Sequence, residues 1–173
     1  MNYSSLKAAI AISMTLFFLP AIPGTIVKGK KIALIIGIGK YKPGNHWPTI
    51  HGDNDIDVIK HALVNTGFSE NNIQTLKNEN ATKAGIVSAL KTLLEKTTTG
   101  DVVIIHYSGH GQQISDMSGD EADGLDEALV PFDAPAVPDK SREDAYDLSK
   151  HLSDDELSVW FDSFRNKIGI SGS

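Results

Sequence analysis

Three features of the sequence predict an α/β fold with a mostly parallel central sheet and helices on its faces. Two continuous apolar runs, Lys31–Ile38 and Val102–Tyr107, have the character of strands buried on both sides. Between them lie two segments with apolar residues at helical spacing. A short apolar stretch separates those segments, so the order reads strand, helix, strand, helix, strand, the pattern of parallel strands joined by crossover helices.

Each element has its own signal. The run 31–38 ends at Gly39, and Gly39–His51 is rich in Gly, Pro and Asn and reads as a loop. Asp53 or Asn54 is a suitable N-cap for a first helix carrying Ile56, Ile59 and Leu63 on one face, with Gly67 as its stop. Ile73–Leu76 is a short strand. Thr82 opens a second helix whose apolar side is Ile86, Leu90, Leu93 and Leu94. Gly100-Asp101 turns the chain into the strand 102–107, expected at the centre of the sheet. Residues 108–125 are expected as a long loop, 127–132 as a short extended piece, and 133–150 as a Pro- and charge-rich loop. Ser153-Asp154-Asp155-Glu156 has the S-x-x-E form of a capping box and starts a last helix with Leu157, Trp160, Phe161 and Phe164 as its apolar stripe.

Composition bounds the function. A chain of 173 residues, 40% hydrophobic and 22% charged, suits one globular domain with a core. A net charge of −6 lacks the basic footprint of a nucleic-acid binder. Much of the acid falls between Asp116 and Glu156, which suits either a solvated loop surface or a site for cations and basic substrates. Residues 1–23 read as a separate segment: Lys7 precedes an apolar run from Ala8 to Leu19, followed by Pro20 and Pro23. The run has the length of a secretory-signal core and is short for a membrane span, so a signal peptide cleaved near Ala21–Gly24, or an uncleaved anchor, is expected. A secreted or periplasmic location follows, with any membrane contact confined to this segment. Its removal loses only Lys7 among charged residues and takes the charge from −6 to −7. There is no cysteine, hence no disulfide. Asn80-Ala81-Thr82 matches a glycosylation sequon, relevant only in a eukaryotic secretory pathway.

The chemistry concentrates at Ser108-Gly109-His110-Gly111. An imidazole at the carboxyl end of a strand lies where α/β sheets bind ligands, and histidine serves as a general base at neutral pH. The flanking glycines permit a tight turn and close substrate approach, and the Gly111 N–H is a candidate oxyanion donor. A structural histidine in a turn is the alternative. His106 and His110, four apart, suggest a zinc pair, but that spacing shares a face only on a helix, and the glutamate of H-E-x-x-H is missing. Gly37-Ile38-Gly39 falls short of a dinucleotide fingerprint, and no phosphate-binding P-loop is present. The carboxylates Asp116, Asp120, Glu121, Asp123, Asp126 and Glu127 offer hard-cation ligands without EF-hand spacing. Asp154 and Asp155 also suit a helix's first turn on dipole grounds alone.

Taken together these blocks resemble the caspase-like cysteine peptidases, most closely the metacaspase branch. Lys31–Tyr41 is similar to the opening strand and its G-I-N-x-Y turn, with Gly39 where Asn is usual. Gly52-Asp-Asn-Asp55 is similar to the C-x-N-D segment. His106–Gly111 matches H-Y-S-G-H-G, Asp120–Asp133 matches D-x-x-D-G-x-D-E-x-L-V-P-x-D, and Ser153–Leu157 matches the helix start that follows. The resemblance covers about residues 30–165 and implies a caspase-like three-layer sandwich. It also implies that His110 is the histidine of a Cys–His dyad, that Gly111 lends its N–H to the oxyanion hole, and that Asp55 lies in an acidic pocket receiving Arg or Lys. Asp126, Asp154 and Asp155 would belong to a calcium site. Polypeptides with basic residues are the implied substrates.

The family places its cysteine on the strand after the Trp160 helix, in a D-x-C-H-S-G motif. Here that helix is followed only by Asn166–Ser173, and aligning Ser171-Gly172-Ser173 with the motif's end puts Gly169 at the nucleophile position. Residues 30–173 are therefore expected to be a partial catalytic domain, truncated before the cysteine-bearing strand and suited to pairing with a missing carboxyl-terminal portion. Three functions remain open: a cysteine endopeptidase whose nucleophile lies outside this sequence, a catalytically dead caspase-like binding module that responds to calcium, and a hydrolase using His110 with Ser108 or Ser115.

Overall fold

The computed structural model describes residues 29–116, 118–119, 121–136 and 147–169. The expected signal segment 1–23, Asp120, most of the 133–150 loop and the Ser171-Gly172-Ser173 echo lie outside them. Strands β1 (Lys31–Gly37), β2 (Ile73–Lys77) and β3 (Val102–Ser108) alternate with helices α1 (Asp55–Asn65) and α2 (Lys83–Lys96). Among the described residues the strands form a parallel sheet in the order β2-β1-β3. Strands β4 (Gly111–Ser115), β5 (Leu125–Leu129) and β6 (Leu152–Ser153) form an antiparallel sheet in chain order, and helix α3 (Asp154–Ile168) follows. None of the described helices is long and apolar enough to cross a membrane.

The period of two along β1 sorts its side chains between two layers. Ala33 and Ile35 pack with Ile56, Leu63 and Phe68 on the α1 side. Ile32, Leu34, Ile36 and Ile38 pack with Ile86, Leu90, Leu93 and Phe164 on the side of α2 and α3. The result is a three-layer α/β sandwich. Strand β3 continues the same division, Val102 and Ile104 to the α1 side, Val103, Ile105 and Tyr107 to the other. Asp101 joins the starts of β1 and β3: its carboxylate accepts the Lys30 N–H at 2.7 Å and the Thr98 N–H at 2.8 Å.

The caps follow the sequence. Thr82 Oγ1 accepts the Gly85 N–H at 3.0 Å at the start of α2. Ser153 and Glu156 form the reciprocal capping box of α3. Gly67, just past α1, sits at φ 90°.

Three expectations need correction. The predicted loop 108–125 contains β4, whose sequence Gly-Gln-Gln-Ile-Ser buries one side chain, Ile114, and so carries almost no apolar alternation. The extended piece is Leu125–Leu129 rather than 127–132; Leu-Asp-Glu-Ala-Leu has weak strand preference and is held by its pairing with β4 and β6. And β1, not β3, is central among the described strands. Its side chains are buried almost throughout, whereas β3 is only half-buried along most of its length because its second edge has no described neighbour.

Two glycines let α1 abut the strand ends. A Cβ on Gly37 would lie 2.6 Å from both the Gly52 carbonyl oxygen and Ile56 Cγ1. A Cβ on Gly52 would lie 2.5 Å from the Ser108 carbonyl oxygen and 2.8 Å from that of Ile38. Both obstacles at Gly52 are backbone, so Gly52→Ala must push the start of α1 off the sheet. We expect a loss of about 1–3 kcal/mol, the usual range for overpacking, read as a lower urea midpoint with an unchanged m-value.

Candidate active site

The carboxyl ends of β1 and β3 carry the candidate chemistry. After β3 the chain passes through Gly109 to His110 and then enters β4. The turn is held by two phenols. Tyr41 Oη accepts the His110 N–H at 2.7 Å. Tyr107 Oη lies 2.9 Å from the His110 carbonyl oxygen and 2.8 Å from that of Val130. Burial raises the pKa of the Tyr41 hydroxyl, with the His110 N–H bond pulling it the other way, and burial raises that of Tyr107 well above its ordinary value. Both therefore act as neutral hydroxyls. Neither Gly109 nor Gly111 takes a positive φ. Gly109 is required for space, since a Cβ there would fall 2.5 Å from Tyr107 Oη, while Gly111 begins β4 with room to spare.

The His110 ring is fixed by the loop after β1. Trp47 stacks on it at 4.9 Å between centroids and 24° between planes, and Tyr41 flanks it at 5.2 Å. His110 Nε2 lies 3.0 Å from the Pro48 carbonyl oxygen. A carbonyl only accepts, so Nε2 carries the hydrogen and the neutral ring keeps its lone pair on Nδ1. Nδ1 is thus the atom able to take a proton. Trp47 is itself tethered, its Nε1–H donating to the Ala134 carbonyl at 2.9 Å.

The Gly111 amide is placed by the second sheet. The Val130 N–H donates to the His110 carbonyl at 3.0 Å, so residues 110 and 130 stand at a hydrogen-bonding position of the ladder, with the His110 N–H going to Tyr41 instead. Gly111 and Leu129 then fall in the alternate position of the antiparallel ladder, where the amides turn away from the facing strand.

Asp55, the first residue of α1, is exposed, and its carboxylate accepts the Ser108 hydroxyl at 2.5 Å. His106 lies two residues before Ser108 on the same face of β3, opposite Ile35 of β1. Its Nε2 is buried with no hydrogen-bond partner. Burial lowers the His106 pKa, partly opposed by the Asp55 charge. The Asp55–Ser108 bond engages the hydroxyl on the α1 side, giving no support to Ser108 as a nucleophile for His110.

Asp126 is buried in β5. Ala128 of β5 opposes Ser153 of β6 in antiparallel register, so Asp154 and Asp155, the next two residues, come to the same end of β5 as Asp126. Their carboxylate oxygens are the donor type calcium prefers. Yet among the described residues no three His, Cys, Asp or Glu side chains are gathered closely enough to hold a metal ion.

The sequence-predicted residues thus fall in two places: His110, Gly111 and Asp55 around the β1–β3 ends, and the three aspartates at the β5–α3 corner. Sequence reasoning missed the roles of Tyr41, Trp47 and Pro48, and weighed Ser108 as a nucleophile rather than as a partner of Asp55. The signal was an aromatic pair and a proline inside a short Gly-rich loop that follows a buried strand, where functional loops belong.

Tyr107 gives this site its clearest test. Tyr107→Phe removes a buried hydroxyl shared by the His110 and Val130 carbonyls, and we expect a loss of about 1–3 kcal/mol, with broadened His110 ring resonances in NMR spectra as the turn loosens.

Comparison with known proteins places this geometry. A caspase-domain family profile matches residues 30–160. Metacaspase-1 of Eremothecium gossypii is 32% identical over 137 residues, covering 75% of this chain and 27% of that protein. Metacaspase-1 of Arabidopsis thaliana is 38% identical over 113 residues, covering 61% of this chain and 30% of that protein. The chain thus spans under a third of the length of these relatives. A crystal structure of a Geobacter sulfurreducens protein superposes with a TM-score of 0.59 at 29% identity, covering 78% of this chain and 46% of that one. With the strand order, the histidine turn and the sequence matches in agreement, the chain belongs to the caspase-domain family of cysteine peptidases, in its metacaspase branch.

Proposed function

We propose that this chain supplies the histidine half of a cysteine endopeptidase that cleaves after Arg or Lys, the thiol coming from polypeptide that adds beside β3. One observation carries the reading: the His110 ring is locked by Trp47 and the Pro48 carbonyl so that Nδ1 is its basic atom. No cysteine occurs in the 173 residues, the outer edge of β3 has no described neighbour, and the relatives are far longer.

In the assembled site, His110 Nδ1 takes the thiol proton. The thiolate attacks the scissile carbonyl carbon, and the oxygen that gains the electron pair is stabilised by the Gly111 N–H. Collapse expels the amine, which leaves with the proton carried by the imidazolium. Water, deprotonated by the same ring, then hydrolyses the thioester and restores the thiol. A positioned general base contributes roughly 10²–10⁴-fold to such a reaction. Asp55 provides the negative charge for the basic side chain preceding the cleaved bond. Export through residues 1–23 would place the protein outside the cytoplasm.

The second reading, a binding module without turnover, is favoured by the same lack of cysteine. Calcium belongs to both. Its donors would be Asp126, Asp154 and Asp155, and binding would draw the first turn of α3 toward β5.

The chain alone is expected not to cleave Arg- or Lys-containing reporter peptides. Turnover abolished by His110→Ala would refute the requirement for an added thiol. If the mass and terminal sequence of the natural gene product include a downstream cysteine, the peptidase reading stands; a product without one leaves the binding module. Titration calorimetry should show calcium binding in the millimolar range that Asp126→Ala weakens by at least about tenfold; absence of heat in that range rules the site out.

A further inference from the structure

His106 has no role in the chemistry above, yet its surroundings are unusual for a spare histidine. The α1-facing row of β3 runs Val102, Ile104, His106, Ser108. An imidazole therefore interrupts an apolar row one step before the serine that binds Asp55. Its neighbours on β1 in the same row, Ala33, Ile35 and Gly37, carry no charge. Asp55 of α1 is the charged group coupled to it, and its buried Nε2 makes no hydrogen bond. A leucine would fill this space without leaving a polar atom unsatisfied. The Ser108 hydroxyl is thus bonded to the carboxylate, and one step back on the same row lies an imidazole that donates from both nitrogens only when protonated.

We propose that His106 is a specificity-determining residue for the basic subsite, a proton-operated competitor for the Asp55 carboxylate. This rests on the reading of Asp55 as the receptor for Arg or Lys. With His106 neutral, Asp55 presents its full charge to an incoming cation. With His106 protonated, a resident positive charge faces the same carboxylate, and the basic ligand is bound more weakly. Burial lowers the pKa of this histidine, partly opposed by the Asp55 charge, so the competitor gains its charge on acidification. The sign is fixed: affinity for a cation falls as the pH falls.

The test uses the full chain and Nα-acetyl-arginine amide, with ring and backbone resonances followed by NMR. The affinity of the wild-type protein should fall about fivefold, the scale of one unit-charge interaction, between about pH 7.5 and about pH 5. His106→Asn should remove that fall, any residual slope reporting other groups. In the unliganded protein, Asp55→Asn should shift the His106 titration to lower pH, because the carboxylate that favours the imidazolium is gone. Equal pH profiles for the wild type and His106→Asn overturn the proposal. So does a His106 titration indifferent to Asp55→Asn, a result that stands even if His106→Asn fails to fold. If the probe binds at no pH, the basic subsite itself is refuted, while the His106 titration in Asp55→Asn still decides whether the two residues are coupled.

Discussion

The His110 turn depends on two tyrosine hydroxyls. A backbone that leaves a parallel strand and immediately enters an antiparallel one must reorient its peptide groups, and those groups need partners. Tyr41 takes the His110 N–H, while Tyr107 lies against the carbonyls of His110 and Val130. The two sheets are thereby joined around His110, whose ring bears the candidate base, and through Val130. Because both phenols are buried, their bonds face little competition from water and remain neutral over the ordinary pH range.

Strand β3 distributes its residues to two neighbourhoods by parity alone. Tyr107 points into the layer of α2 and α3 and supports the base from beneath. His106 and Ser108 point to the α1 side, where the Ser108 hydroxyl bonds Asp55. One strand therefore supplies both a support for the His110 turn and a hydrogen-bond partner for Asp55, with no extra loop. The glycines at 37 and 52 make this possible by letting the start of α1 come down on the strand ends.

Much of this was legible in the sequence because buried parallel strands and amphipathic helices write their period plainly. The limits of β1, α1, α2, β3 and α3 followed from apolar spacing and from caps at Thr82 and Ser153. Strands β4 and β5 did not, because they are short, polar and acidic, and their extended conformation comes from mutual pairing rather than from their own residues. Within the site, His110 and Asp55 stood out through motif resemblance. Trp47 and Pro48 did not, since one contributes a ring face and the other a main-chain oxygen, and a carbonyl's role is written in no side chain.

The central position of β1 has a consequence for synthesis. It leaves the ribosome before every strand that pairs with it. Its partner β3 begins about as far downstream as Asp101 is from Lys30, a separation of 71 residues. Until then the run Ile32–Ile36 can pair only along its β2 edge, and the edge that β3 will cover has no partner in register. Completion of the sheet is thus governed by a long-range closure, and the nascent chain carries its most apolar strand with one edge open until β3 is made, an interval in which holding chaperones act.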